Sequence, residues 1–246
     1  MENIWGKYAR AYDVLNRLGP YQKAIDHAAI KLVTQPGTQI LDMCCGTGNL
    51  AQAISKLWIP EGVKLVCCDN SQAMLQRTSK KIPHAEVDII DGNDRLPYSD
   101  NQFGAVGCLN ALYTLKNPAA VLAELYRITQ PGGLLYISNP IHDHNQGWIL
   151  AEHVGDSGNL AYWEKVSHSL ADANQLTQKA VPDQATWEAF STVLSANIAI
   201  YQETSCIFTD TTELLSMVHE SGFTIHESGL TYAGVSAYVF AEKQGV

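Results

Sequence analysis

Two acids and two glycines set the chemistry open to this chain. Asp42 closes the apolar run Ile40-Leu41, and Cys44-Cys45-Gly46-Thr47-Gly48-Asn49-Leu50-Ala51 follows it. A second apolar run, Val63 to Cys68, also ends in an acid, Asp69. An apolar run, an acid, a glycine turn and an amphipathic stretch read as strand, turn and helix. Lacking a Cβ, Gly46 and Gly48 tolerate positive φ and let a ligand approach the main chain. The helix behind them offers free N–H groups and the positive end of its dipole. A second titratable cluster, Asn139-Pro140-Ile141-His142-Asp143-His144, lies further on. His142 is a candidate general base, oriented by Asp143, suited to a phenol or enol acceptor. The alternatives are exposed loop histidines, or a His142/His144 metal pair. No third ligand is visible, so no metal is assigned.

These residues need elements to hold them. Periodicity and punctuation predict strands at 38–43, 63–68, 85–90, 104–109 and 133–138, with helices at 48–58, 72–81 and 119–129 between them. Ser71 is a candidate cap, and Asn117-Pro118 reads as a cap with proline at the first helical position. Gln130-Pro131-Gly132-Gly133 reads as a helix stop. Residues 3–34 look helical in two segments broken at Gly19-Pro20, with Trp5, Tyr8, Tyr12 and Leu15 on one apolar face. Residues 140–205 break the strand–helix rhythm. Leu160, Trp163 and Val166, then Trp187, Phe190, Leu194 and Ile198, fall at helical steps, with Pro182-Asp183 opening the second set. A helix near 211–220 and strands near 223–228 and 232–242 close the chain as a hairpin.

The predicted class is α/β: a Rossmann-like, doubly wound, seven-stranded sheet, mostly parallel with the last strand antiparallel. A helical cap is inserted after strand five. The expected organisation is an N-terminal helical lid at 1–36, a core at 37–139, the cap over a substrate pocket at 140–205, and a helix and strand hairpin completing the sheet at 206–246.

Two families place a ligand over such a turn. Gly46, Gly48 and Ala51 satisfy G-x-G-x-x-A with Asp69 further on, the pattern of a dinucleotide fingerprint. That reading makes the chain an NAD-dependent oxidoreductase, but no hydride-accepting constellation accompanies it. The stretch Asp42…Gly46-Thr47-Gly48 more closely resembles the class I S-adenosylmethionine (SAM)-dependent methyltransferases. Asp42 discriminates, because a carboxylate there repels a pyrophosphate yet suits the ammonium of an amino-acid cofactor.

The resemblance implies roles for further residues. Asp69 would bind the ribose hydroxyls, since each carboxylate oxygen accepts one hydrogen bond from a cis-diol. In Asn70-Ser71-Gln72-Ala73-Met74, Met74 would lie on the adenine ring, unless it is helix core. Asp91-Gly92-Asn93-Asp94-Arg95-Leu96-Pro97-Tyr98 resembles the family's G-D-A-x-x-L-P-F, but the adenine-binding Asp falls on Gly92. Asp91 and Asn93 are both candidates for that contact. Cys44 and Asn110 would back the cofactor, and Glu124-Leu125-Tyr126-Arg127 through Pro131-Gly132-Gly133 resembles a structural run. Tyr8-Ala9-Arg10-Ala11-Tyr12-Asp13 resembles the Y-x-x-x-Y-D opening of the ubiquinone/menaquinone-type group, making Tyr8 and Tyr12 candidate active-site residues. Core tyrosines are the alternative.

The 246 residues carry 46% hydrophobic and 17% charged residues and a formal charge of −9, which argues against a nucleic-acid partner and for a small, partly apolar acceptor. No apolar run reaches membrane-spanning length and no signal peptide is evident, so a cytoplasmic location is expected. Residues 1–31 hold five Lys/Arg against three acids, leaving room for peripheral contact with an anionic bilayer and a lipid or quinone headgroup as acceptor. The six cysteines lack metal-site spacing and read as buried thiols. A catalytically silent SAM binder is the third class considered. Acceptor atom and oligomeric state are not legible.

Overall fold

The computed structural model describes residues 4–35, 37–57, 61–141, 146–159, 161, 183–203 and 210–245. Seven strands form one sheet: β1 (Gln39–Met43), β2 (Lys64–Asp69), β3 (Glu86–Ile89), β4 (Phe103–Leu109), β5 (Thr129–Pro140), β6 (Phe223–Thr231) and β7 (Ser236–Lys243). Their order is β3-β2-β1-β4-β5-β7-β6. β1 to β5 pair in parallel, while β7 runs antiparallel to both β5 and β6. The chain steps outward from β1 through β2 to β3, then returns to the other side of β1 with β4. The carboxyl ends of β1 and β4 therefore flank the switch point at which open α/β sheets bind ligands.

Eight helices are described: α1 (Ile4–Ala11), α2 (Gly19–Leu32), α3 (Asn49–Lys56), α4 (Gln72–Lys81), α5 (Pro118–Ile128), α6 (Gln146–Val154), α7 (Gln184–Glu203) and α8 (Thr211–Glu220). Local chemistry sets their starts. Ser71 accepts from the Met74 amide, Asn117 from Ala120, and Asp210 from Thr212 and Glu213. The central strands are buried on both faces, which explains their unbroken apolar runs. Two apolar clusters form, one including Leu32, Ile40, Ile54 and Tyr136, the other including Val106, Leu125, Ile137 and Val218.

Three of the differences from the sequence expectation have a visible local cause. β5 starts at Thr129 rather than 133, because Phe103 pairs with Thr129 and Ala105 with Leu134 across an irregularity that absorbs Pro131-Gly132-Gly133. The final strand starts at Ser236 rather than 232, since Tyr232, Ala233 and Gly234 take positive φ of 53°, 58° and 80°. The N-terminal helix tightens into a 3₁₀ turn over Tyr12–Arg17 and breaks at the extended Leu18, with Pro20 in the first turn of α2.

In the expected cap, Phe190 and Leu194 are buried residues of α7, which packs against α1 and the 3₁₀ turn. Leu160, Trp163, Val166, Pro182 and the side chain of Ile198 lie outside the described residues. Cys44, Cys45, Cys67, Cys68 and Cys108 are free thiols, all buried except the half-buried Cys44. Among the described residues no helix is long and apolar enough to cross a membrane, and no group of three or more His, Cys, Asp or Glu could hold a metal.

Candidate functional site

The site is built at the carboxyl ends of β1, β2 and β4. Asp42, on β1, is 2% exposed, and its Oδ2 accepts from the Ala51 amide in the first turn of α3 at 3.0 Å. Burial pushes its carboxyl up to about 7; the Ala51 hydrogen bond opposes this, the negative charge of Asp69 adds to it, and Lys81 opposes it. Asp69 ends β2. Its Oδ2 accepts from the Gly46 amide at 2.9 Å and its Oδ1 from the Ser71 amide at 2.9 Å. Burial raises this carboxyl too, against those backbone bonds.

The two glycines serve different ends. Gly46 has φ +56°, and a Cβ there would meet Tyr12 Cε1 at 3.9 Å, so its main chain faces open space under a tyrosine ring. Gly48, at φ +75°, packs on α4, where a Cβ would lie 2.8 Å from Thr78 Cγ2. Thr47 is buried and donates to Asp13 Oδ1 at 2.6 Å. Cys44 and Asn110 hold left-handed backbone at φ 53° and 49°, where non-glycine residues store strain next to the cleft.

Above these elements lies a cleft whose empty space, counting its solvent-open mouth, is about 1330 Å³. Asp42, Cys44, Gly46, Asp69, Asn70, Met74, Asn93 and Asn110, all cofactor-binding candidates from the sequence, line it. Thr47, Gly48 and Asp91 are not among its walls. Asn93 and Asp91 divide their work. The exposed Asp91 accepts on Oδ1 from the Asn93 amide at 2.9 Å and from Asn93 Nδ2 at 2.7 Å, while Asn93 Oδ1 accepts from the Lys116 amide at 2.7 Å. Asp91 thus orients a carboxamide that reaches the cleft. Gly92 has a packing reason: a Cβ there would lie 2.7 Å from Met43 Cε. His142, Asp143 and His144 lie outside the described residues.

The opposite wall is aromatic. Tyr8 and Tyr12 meet edge-on with ring centres 5.0 Å apart, Tyr12 and Tyr21 at 6.4 Å, and Tyr21 and Tyr232 at 5.6 Å. Tyr8 donates its hydroxyl hydrogen to Asn197 Oδ1 on α7. Asn49 Nδ2 donates to the Tyr21 hydroxyl at 3.0 Å. Burial raises the phenols of Tyr8, Tyr12, Tyr21, Tyr113 and Tyr232, so at neutral pH they are hydrogen-bond donors and apolar faces rather than bases. Sequence reading did not single out Tyr21, Tyr232, Asn49 or Asn197. Tyr21, Asn49 and Tyr232 sit beside turn signals (Gly19-Pro20, Gly46-Thr47-Gly48 and Ala233-Gly234), whereas Asn197 is one polar residue on a long helix.

Two carboxylates, an open glycine main chain and an aromatic wall suit a ligand carrying a cation, hydroxyls and a flat ring. Fold and cleft together define a Rossmann-like nucleoside-binding α/β protein. The family profile described as "Methyltransferase domain" matches residues 41–137. A demethylmenaquinone methyltransferase of Bacillus cereus is 32% identical over 161 residues, covering 61% of this chain and 68% of that protein. One from Listeria welshimeri is 30% identical over 155 residues, covering 60% of this chain; the match spans 65% of that relative's length. The solved structure of magnesium protoporphyrin IX methyltransferase from Synechocystis, with bound S-adenosylhomocysteine (SAH), superposes with a TM-score of 0.56 at 15% identity, covering 92% of this chain and 84% of that one, a likeness of fold. The chain belongs to the class I SAM-dependent methyltransferases, in the ubiquinone/menaquinone-type group. SAM is its cofactor.

Proposed function

We propose that this chain moves the methyl group of SAM to an O, N or C atom of a small, partly apolar acceptor, releasing SAH. The observation that carries the reading is one cleft bounded by Asp42, Gly46 and Asp69 on one side and by a tyrosine wall on the other. When bound, SAM supplies an activated methyl on a sulfonium. The chain's residues bind and orient. Asp42 faces the ammonium, directly or through water, and Asp69 takes the ribose hydroxyls while keeping its bonds to Gly46 and Ser71. Asn93 meets the adenine edge and Met74 its face, with Cys44, Asn70 and Asn110 completing that side. The tyrosine faces exclude water and attract a cation, so positioning in line can supply much of the catalysis. Residues 1–36 act as a lid and 140–205 as a cap. Support comes from Tyr8 of α1 and Asn197 of α7, which share a hydrogen bond at the cleft. His142 is proposed as the base where the acceptor must lose a proton.

A quinone headgroup is the finer reading of the acceptor. The aromatic wall and two relatives named demethylmenaquinone methyltransferase, at 30% and 32% identity, favour it. Its substrate would lie at a membrane surface, though the acidic balance of the chain does not favour broad attraction to anionic lipid. A radiolabelled methyl-transfer screen over phenol, amine, carboxylate and quinol acceptors tests both levels. Transfer to a quinol alone supports the finer reading. Transfer to none, by protein that binds SAH, would turn the assignment toward a silent SAM binder.

A further inference from the structure

We infer that Lys81 and Asp13 are positioning residues for the proposed cofactor site, their ion pair clasping the N-terminal segment onto the glycine turn. The inference rests on the cofactor reading above and extends it to two residues that do not line the cleft.

Lys81 is the last residue of α4, and its side chain is only 13% exposed. Its ammonium has three hydrogens to give. They are matched by three oxygens: Asp13 Oδ1 at 2.7 Å, Thr47 Oγ1 at 3.2 Å and Asn49 Oδ1 at 2.6 Å. Asp13 Oδ1 accepts a second time, from Thr47 Oγ1 at 2.6 Å. Thr47 stands between the two glycines of the turn and Asn49 opens α3, so the turn and α4 bond directly to one carboxylate of the N-terminal segment, and α3 joins them through the Lys81 ammonium.

The clasp reaches the cleft by two routes. Asp13 directly follows Tyr12, whose ring covers Gly46. Asn49 passes the network on, accepting from Asn16 Nδ2 at 2.9 Å and donating to the Tyr21 hydroxyl, which lies 3.5 Å from the Tyr12 hydroxyl. Removing one partner of a shielded ion pair strands the other's charge, so the local geometry must give. What gives first is the placement of Tyr12 and Tyr8, because Leu15, Leu18 and Ile25 still anchor the segment by apolar burial. The fold persists while the cover over the cofactor loosens.

The test is the dissociation rate of SAH from wild-type, Lys81→Met, Asp13→Asn and Lys81→Arg proteins, by surface plasmon resonance, with folding checked by circular dichroism. The expected result is a rate about tenfold faster for Lys81→Met and Asp13→Asn, with Lys81→Arg restored to within about threefold of wild type. Asp13→Asn is isosteric and carries the expectation if Lys81→Met does not fold. A purely structural role would lower the melting temperature and leave the rate unchanged in folded protein; that outcome overturns this inference alone. Wild-type protein that fails to bind SAH overturns both the inference and the cofactor reading.

Discussion

The Asp42 carboxylate and the Ala51 amide meet at 3.0 Å, so the acid that closes β1 also holds the first turn of α3. The same side chain faces the cleft, and burial has already moved its carboxyl up to about 7. A group held above its unfolded value binds more protons in the folded state. Its contribution to stability is therefore greatest at low pH and declines as pH rises from about 4 towards 7. A cationic ligand reverses the preference, because it selects the ionised form. SAH binding should tighten roughly tenfold between about pH 6 and about pH 8 and then level off. Isothermal titration across pH checks this, and Asp42→Asn should flatten the profile; an unchanged slope in that variant removes Asp42 from the ammonium site.

Asp69→Ala removes the acceptor of two backbone amides as well as the proposed ribose contact. Hydrogen bonds to a charged acceptor contribute about 1.5–3 kcal/mol each, so SAH affinity should fall at least about thirtyfold, together with the melting temperature. Calorimetry reads the first and thermal unfolding the second.

Gly48→Ala should be costlier than Gly62→Ala. Both glycines have positive φ, +75° and +88°, but a Cβ at Gly48 would lie 2.8 Å from Thr78 Cγ2, whereas Gly62 has open space. Left-handed strain alone costs about 1 kcal/mol, and the clash adds about 1–3 kcal/mol. Urea midpoints of the two variants measure the difference, and equal midpoints would mean that α4 yields freely.

Arg127→Met should destabilise the fold while sparing the ligand. Arg127 donates to Tyr98 O at 2.8 Å and Leu96 O at 3.0 Å and pairs with Glu124 and Asp100, fastening the 96–100 loop to α5. Loss of that fork should cost about 2–3 kcal/mol by denaturant titration. SAH affinity at low temperature should change less than about threefold.

Much of this arrangement was legible because it is written locally. The strand–acid–glycine run, the caps at Ser71 and Asn117, and the closing hairpin each declare themselves within a few residues. Thr47 and Gly48 belong to the glycine motif but are not among the cleft walls: Thr47 donates to Asp13, and Gly48 makes room for α4. Nothing local separates Asn93 from Asp91 either; that Asn93 lines the cleft while Asp91 holds it from behind is visible only in the folded chain. The tyrosine wall was half legible. Tyr8 and Tyr12 stand in a recognisable run, whereas Tyr232 and Asn197 reach the cleft only through tertiary packing.

Trp5 and Tyr232 share one cleft although almost the whole chain separates them. During synthesis the emerging protein can order its first five strands while the pocket still lacks a wall. Tyr232 precedes β7, which inserts between β5 and β6. Residues through Lys243 must emerge before that insertion occurs, so ligand capture waits on the β6–β7 hairpin. A product clipped within the final hairpin would keep the glycine turn and lose the enclosure.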